Sequence, residues 1–213
     1  MARKPQTRNP EQTKARILKA ARDEFALKGL GGARVDVISR RAGIQKRMMY
    51  HYFGNKEALF QIVIEHEYTR FREAEAALEI ERQDPVEALK KLVAFTWDYY
   101  IAHPEFITLV NSENLHKARH LKASSVLRPV NETFVDRMRA LLKRGEASGQ
   151  FRKGVDAVQL LITLSGVNYH YLTNQFTGEI VYGRKLMTKA ARDERLAFNI
   201  ETILRLVCKE GVM

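Results

Sequence analysis

The chain has 213 residues, 45% of them hydrophobic and 29% charged, with 12 Gly and 5 Pro. That balance excludes disordered, collagen-like and low-complexity chains and is enough for a buried core of one large or two small domains. The net charge of +11 is unevenly spread, with 14 Lys/Arg against 5 Asp/Glu in residues 1–60 and 22 against 20 in the rest, as expected of a polyanion-binding module attached to a near-neutral body.

Residues 1–9 are polar and basic (Arg3, Lys4, Arg8) and are expected to form a flexible arm. Asn9 then caps a helix whose first position is Pro10, with Gln12 three residues after the cap. Ile17, Leu18, Ala21 and Phe25 give it an apolar face, and Gly29 ends it. After a glycine turn, short helices are expected over 35–41 and 46–52, separated at Gly43 and sharing the apolar positions Val35, Ile38, Ala42, Ile44, Met49 and Phe53. Asn55 opens a long helix from Lys56 to about Arg82, and Asp84-Pro85 opens another to about Ala102. His103-Pro104 breaks that one and starts a short helix through Leu115; further helices are expected over about 117–147, 155–176 and 189–210. No run alternates with period two over strand length, so the fold class is all-α.

Two short helices joined by a glycine-containing turn make a helix-turn-helix. Its second helix is short, basic at its start and suited to the DNA major groove. That puts Lys46, Arg47 and Met48 near base edges, with Arg47 suited to guanine O6/N7 and Met48 to a thymine methyl. Tyr50, His51 and Tyr52 follow within reach of backbone phosphates. Lys56 stands in the first turn of the next helix, whose free amides also favour a phosphate.

The stretch from Lys14 to Leu59 resembles the DNA-binding domain of the TetR family of bacterial transcriptional regulators. The resemblance rests on Ala42-Gly43-Ile44, Met49-Tyr-His-Tyr-Phe53, Asn55-Lys-Glu-Ala-Leu59 and the helix bearing Ala21 and Phe25. It implies phosphate contacts from Tyr50, Tyr52 and Lys56 and base reading by residues 45–48. Three positions depart from the family pattern. Arg34 stands where a capping Thr is usual, so a phosphate contact there would come from a guanidinium; Gln45 replaces a common Ser, and Arg47 a common small residue.

The resemblance further implies a body that binds a small-molecule effector and forms a homodimer through its last two long helices; no cofactor or metal is expected. The domains expected are the arm at 1–9, the helix-turn-helix at 10–55 and the ligand-binding and dimerisation body at 56–213. Residues 155–176 are apolar almost all round, as expected of a helix buried on two sides, and Leu196, Ile200, Ile203 and Val207 share a face of the last helix. Candidate effector contacts are Trp97, Tyr100 and Phe106 near the His103-Pro104 break, with His66, Asn111, Asn114, Leu115, Phe134, Met138, Asn168 and Tyr169 on neighbouring helices. The stretch from Asn111 to His116 resembles the C-terminal domains of regulators of aromatic-acid catabolism, which points to an aromatic effector.

Other chemistry has little support. His116 and His120 have a zinc-compatible spacing after Glu113, but no further patterned ligand, and a solvated basic helix is expected there. Gly29 to Gly32 lacks the preceding strand of a dinucleotide fingerprint. The lone Cys208, in an apolar helical pattern, is expected to be buried and inert. With no signal-peptide core and no sufficiently apolar span, a cytoplasmic setting is expected. The whole reads as a ligand-responsive repressor, released from a pseudo-palindromic operator by an inducer. The alternatives are an activator or ligand-independent regulator and, from another class, a helical small-molecule-binding protein or enzyme with an incidental basic head.

Overall fold

The computed structural model describes residues 9–122 and 124–212, so the basic arm, Asn9 apart, lies outside the described residues. Eleven α-helices follow one another among them: α1 (Pro10–Gly32), α2 (Val35–Arg41), α3 (Lys46–Phe53), α4 (Lys56–Ala76), α5 (Pro85–Ala102), α6 (Pro104–Leu115), α7 (Arg119–Lys122), α8 (Leu127–Ala147), α9 (Ala157–Thr173), α10 (Gln175–Val181) and α11 (Lys189–Val207). The one β pairing among the described residues is an isolated antiparallel bridge, Phe151 to Cys208. The chain is all-α, as its periodicity implies.

Most boundaries follow from caps visible in the sequence. Asn9 Oδ1 accepts from Glu11 N at 3.0 Å, Asn55 Oδ1 from Ala58 N at 2.8 Å, and Asp84 Oδ1 from Val86 N at 2.9 Å, each satisfying an amide that has no intrahelical partner. α1 kinks at Gly29, whose φ of 64° and ψ of 174° interrupt the helix before a last short turn to Gly32. Three expected helices are shorter than the pattern suggests. α4 stops at Ala76, and a 3-10 turn (Ile80–Arg82) follows Glu79, which is left-handed at φ 48°. The expected helix over 117–147 is divided: Lys117 and Ala118 both take φ of 56°, and α7 and α8 are separate. The helix over 155–176 ends at Thr173, and α10 begins after Asn174.

The described residues form two compact units. The first comprises residues up to Tyr68 with Thr108–Ser125; the second comprises Thr69–Ile107 with Val126 onward. The core of the first unit is built from Ile17, Ala21 and Phe25 of α1, Ile38 of α2, Met49 and Phe53 of α3, Leu59, Phe60, Val63 and Ile64 of α4, and Leu109 of α6. Phe25 and Phe60 meet edge to face, with centroids 5.1 Å apart, a geometry worth about 0.5–1.5 kcal/mol beyond area burial.

In the second unit, α5, α8, α9 and α11 bury Leu89, Leu92, Val93, Met138, Leu141, Leu160, Leu164, Ile203 and Val207. Phe151 closes one end, packed so tightly on Gly145 that an added Cβ would lie 2.0 Å from its ring. Cys208 is buried, and burial pushes its thiol up. A fully buried Asn199 donates to Asn168 at 2.8 Å, tying α11 to α9. Not all apolar side chains of this unit are covered: Val158 and Ile162 of α9, Phe176, Ile180 and Val181 of α10, Tyr182 just after it, and Phe198 of α11 are all exposed. No helix of the described residues is long and apolar enough to cross a membrane.

Candidate nucleic-acid interface

The site is the α2–α3 pair. Gly43, at φ 65°, supplies the left-handed residue of the turn, a conformation that Cβ-bearing residues adopt only at a cost. Within α3, Met49 is wholly buried and Phe53 nearly so. They lie four residues apart, so the helix is held by one edge and its remaining faces turn outward. Gln45, Lys46, Arg47, Tyr50 and His51 are exposed, whereas Met48 and Tyr52 are half-buried. Arg47 has no ion pair among the described residues. Tyr52 packs against the ring of His51 and, more loosely, of Phe53. Arg34 and Gln45, the residues preceding α2 and α3, cap neither helix with a side chain, and both are exposed.

Two acidic residues shape this surface. Lys46 Nζ lies 3.0 Å from Asp36 Oδ1. The hydrogen bond and charge of Lys46 pull the Asp36 carboxyl below its ordinary range, and Asp36 in turn raises Lys46. Glu24 of α1 is buried; its Oε2 lies 3.2 Å from Arg41 Nη1 and its Oε1 accepts from Arg34 N at 3.3 Å. That carboxylate joins both ends of α2 to α1. At the start of α4, Lys56 Nζ donates to Gly31 O at 3.4 Å and Ala33 O at 3.3 Å, where α1 ends.

Beside Lys56, Glu57 accepts from Arg119 and lies 2.7 Å from His120 Nε2. His120 is buried, which corrects the expected solvated helix at 116–122. Its ring nitrogens are engaged by Glu57 and Glu113, and its ring packs on Phe60. Sequence pattern alone gives Glu57 no role, places Glu113 only in a zinc-compatible spacing, and does not single out Asp36 or Glu24. The seven-residue step from Glu113 to His120 was the available signal.

The candidate effector residues divide between the two units. His66, Asn111, Asn114 and Leu115 belong to the first unit, the others to the second. Leu115 is largely exposed and Asn114 Nδ2 returns to Val110 O. Trp97, Tyr100, Phe106, Met138 and Asn168 are buried, with Trp97 on Tyr171, Phe106 stacked on Phe71, and Tyr100 against the half-buried Tyr169. Phe134 lies on the wall of a cleft of about 500 Å³ lined also by Thr69, Arg72, Glu75, Glu81 and Arg137. Within it the Arg72 guanidinium sits 3.8 Å over the Phe134 ring and 2.9 Å from the buried Glu75.

An outward-facing cationic helix on an all-helical chain has close parallels. Residues 17–63 match the model of bacterial regulatory proteins of the tetR family, and residues 85–203 match that of the tetracyclin repressor-like C-terminal domain. The chain belongs to the TetR family. It is 38% identical over 195 residues to the HTH-type transcriptional repressor NicS of Pseudomonas putida, covering 92% of each chain. It is 30% identical to the HTH-type transcriptional repressor SCO4008 of Streptomyces coelicolor, covering 87% of this chain and 92% of that one. In fold it resembles the crystal structure of a TetR family transcription regulator from Marinobacter aquaeolei, with a TM-score of 0.71, 18% identity and coverage of 94% and 98%. The protein is therefore a TetR-type DNA-binding transcriptional regulator and not an enzyme.

Proposed function

We propose that the protein is a ligand-responsive repressor that binds a pseudo-palindromic operator as a homodimer in the cytoplasm and is released by a small-molecule inducer. The observation that carries this reading is α3 itself: Met49 and Phe53 are buried while Lys46 and Arg47 are exposed, the arrangement a helix needs to enter a major groove. In this reading Gln45, Lys46, Arg47 and Met48 read bases, and Arg34, Tyr50, His51, Tyr52 and Lys56 hold phosphates. The repressor names of two relatives support the sign of regulation.

The exposed apolar side chains of α9, α10 and α11 support a dimer through that face. A two-fold axis would then present two reading helices to two half-sites. For the effector, the cleft at Phe134 has a suitable size and mixes an aromatic wall with convergent charged groups. An inducer works only by preferring the form that does not fit the operator, and a tenfold release requires about 1.4 kcal/mol of preference. Selection of bound duplexes from a random pool by the purified protein tests the reading. An enriched, inverted-repeat sequence is expected, and a pool that stays random after several rounds refutes it.

A further inference from the structure

The contacts around Glu57 assign a role to a residue that reads no base and, being an anion, repels phosphate. We propose that Glu57 is a positioning residue for operator binding: α7 grips its carboxylate through His120 and Arg119 and thereby holds the first turn of α4, with Lys56, at the phosphate backbone. This rests on the proposal above that Lys56 meets a phosphate.

The grip is built from the inside outward. Glu113, on α6, is almost wholly buried. Its Oε1 accepts from the backbone amides of His120 at 2.8 Å and Leu121 at 3.0 Å, and its Oε2 lies 2.6 Å from His120 Nδ1. The imidazole is also fixed sideways, its ring 4.9 Å from that of Phe60, which in turn meets Phe25 of α1. The remaining nitrogen, Nε2, faces Glu57 Oε2 at 2.7 Å. Each ring nitrogen thus faces a carboxylate oxygen, an acceptor for whichever of them carries a proton. Hydrogen bonds with an ionised partner are the strong, directional ones, and Arg119 supplies a second to the same Oε2. His120 and Arg119 together draw the Glu57 carboxyl below the ordinary carboxylate range. On the other side of the same turn, Lys56 is moored to Gly31 and Ala33 carbonyls. Both side chains of the turn are therefore held, by α7 and by the end of α1.

The sign of a mutational effect separates positioning from charge. Removing a carboxylate next to a phosphate-binding lysine strengthens DNA binding if charge alone matters. Removing an anchor weakens it. The test uses the full-length protein and fluorescence anisotropy, on the duplex obtained by selection and on a scrambled duplex. Glu57→Ala is expected to lose about tenfold in operator affinity, the worth of one hydrogen bond to a charged group. Because Glu57 is exposed, its melting temperature should stay close to that of wild type. Glu57→Gln keeps an oxygen that can accept from Nε2 and is expected to restore binding to the wild-type level or tighter. Unchanged or tighter binding by Glu57→Ala overturns the proposal, as does a Glu57→Gln variant as weak as Glu57→Ala. Lys56→Ala distinguishes the two layers: if it leaves both duplexes bound as before, the phosphate reading of Lys56 itself fails, whereas weakening by Lys56→Ala with none by Glu57→Ala defeats the anchor alone.

Discussion

Glu75 offers a measurement in which structure, charge and stability meet. Its carboxyl is buried in the second unit, and loss of water raises its pKa from 4.5 to about 7, although Arg72 at 2.9 Å and the charge of Arg137 pull the other way. The ion pair is therefore not strong enough to offset burial, a common outcome for charges taken out of water. Because the folded value lies above the unfolded one, the native state holds the proton more tightly. The associated stability is complete below pH 4.5 and is lost as pH rises through about 7. At ~1.36 kcal/mol per pH unit, that gap amounts to about 3 kcal/mol. Between pH 5 and 8 most of it is traversed, and at about 2–4 °C per kcal/mol for a chain of this size the melting temperature should fall by roughly 5–10 °C.

Glu75→Gln keeps the shape and removes the titration. Arg72 would still be held by Asn131 Oδ1 at 3.1 Å and by the Phe134 ring, so the substitution should leave the packing intact. Thermal unfolding followed by circular dichroism at pH 5 and pH 8 is the assay. Histidines titrate in the same window, so the difference between wild type and variant is the quantity to compare. The variant should show a flatter profile and equal or exceed wild type at pH 8. A variant as pH-sensitive as wild type, or one markedly less stable at pH 8, refutes the argument that burial outweighs Arg72.

Other outcomes concern DNA. Lys56→Ala should weaken binding to selected and scrambled duplexes alike and reduce the slope of log affinity against log salt by roughly one. Arg47→Ala should cost about 1–3 kcal/mol on the selected duplex and relax preference at one base position, seen by binding to single-base variants; equal losses on both duplexes would contradict base reading. Asp36→Asn frees Lys46 from its carboxylate partner and should tighten binding to scrambled DNA more than to the selected site, as read by anisotropy at two salt concentrations. Met49→Ala empties a fully buried position and should destabilise the fold by about 2–5 kcal/mol, visible as a lowered melting temperature.

The parts of this fold that were legible in the sequence are those dictated locally. Asn9-Pro10, Asp84-Pro85 and His103-Pro104 mark helix boundaries through capping and the missing proline amide, and those helices begin where expected. The breaks that were not legible depend on distant partners. Nothing local in His116-Lys-Ala-Arg-His-Leu-Lys122 demands that Lys117 and Ala118 turn left-handed; the turn accompanies the burial of His120 against Glu113 and Glu57, the latter 63 residues away. Similarly, α4 ends beside a 3-10 turn steadied by Gln83, whose Nε2 donates to Leu78 O at 2.7 Å. In the site, residue types and helical phase foretold which side chains of α3 face outward. They could not foretell that Lys46 would meet Asp36, or that Thr108–Ser125 would join the first unit.

The carboxylates of the first unit bear on how a basic head avoids binding every duplex. With 14 Lys/Arg against 5 Asp/Glu in its first 60 residues, indiscriminate attraction to phosphate is ensured, and every cation left free adds affinity without sequence information. Specificity is a difference between affinities, so lowering the non-specific one is as useful as raising the specific one. Asp36, paired with Lys46, would lower it by occupying that cation until a better acceptor is presented. On an exposed surface that pairing is weak enough to exchange. Glu57 and Glu24 act differently, since each is tied to a fixed partner, His120 and Arg41 respectively, and spends its charge on geometry. In the proposed reading Arg47, which has no ion pair among the described residues, is the side chain through which a base would be rewarded, so its substitution should alter preference while that of Asp36 alters only discrimination against bulk DNA.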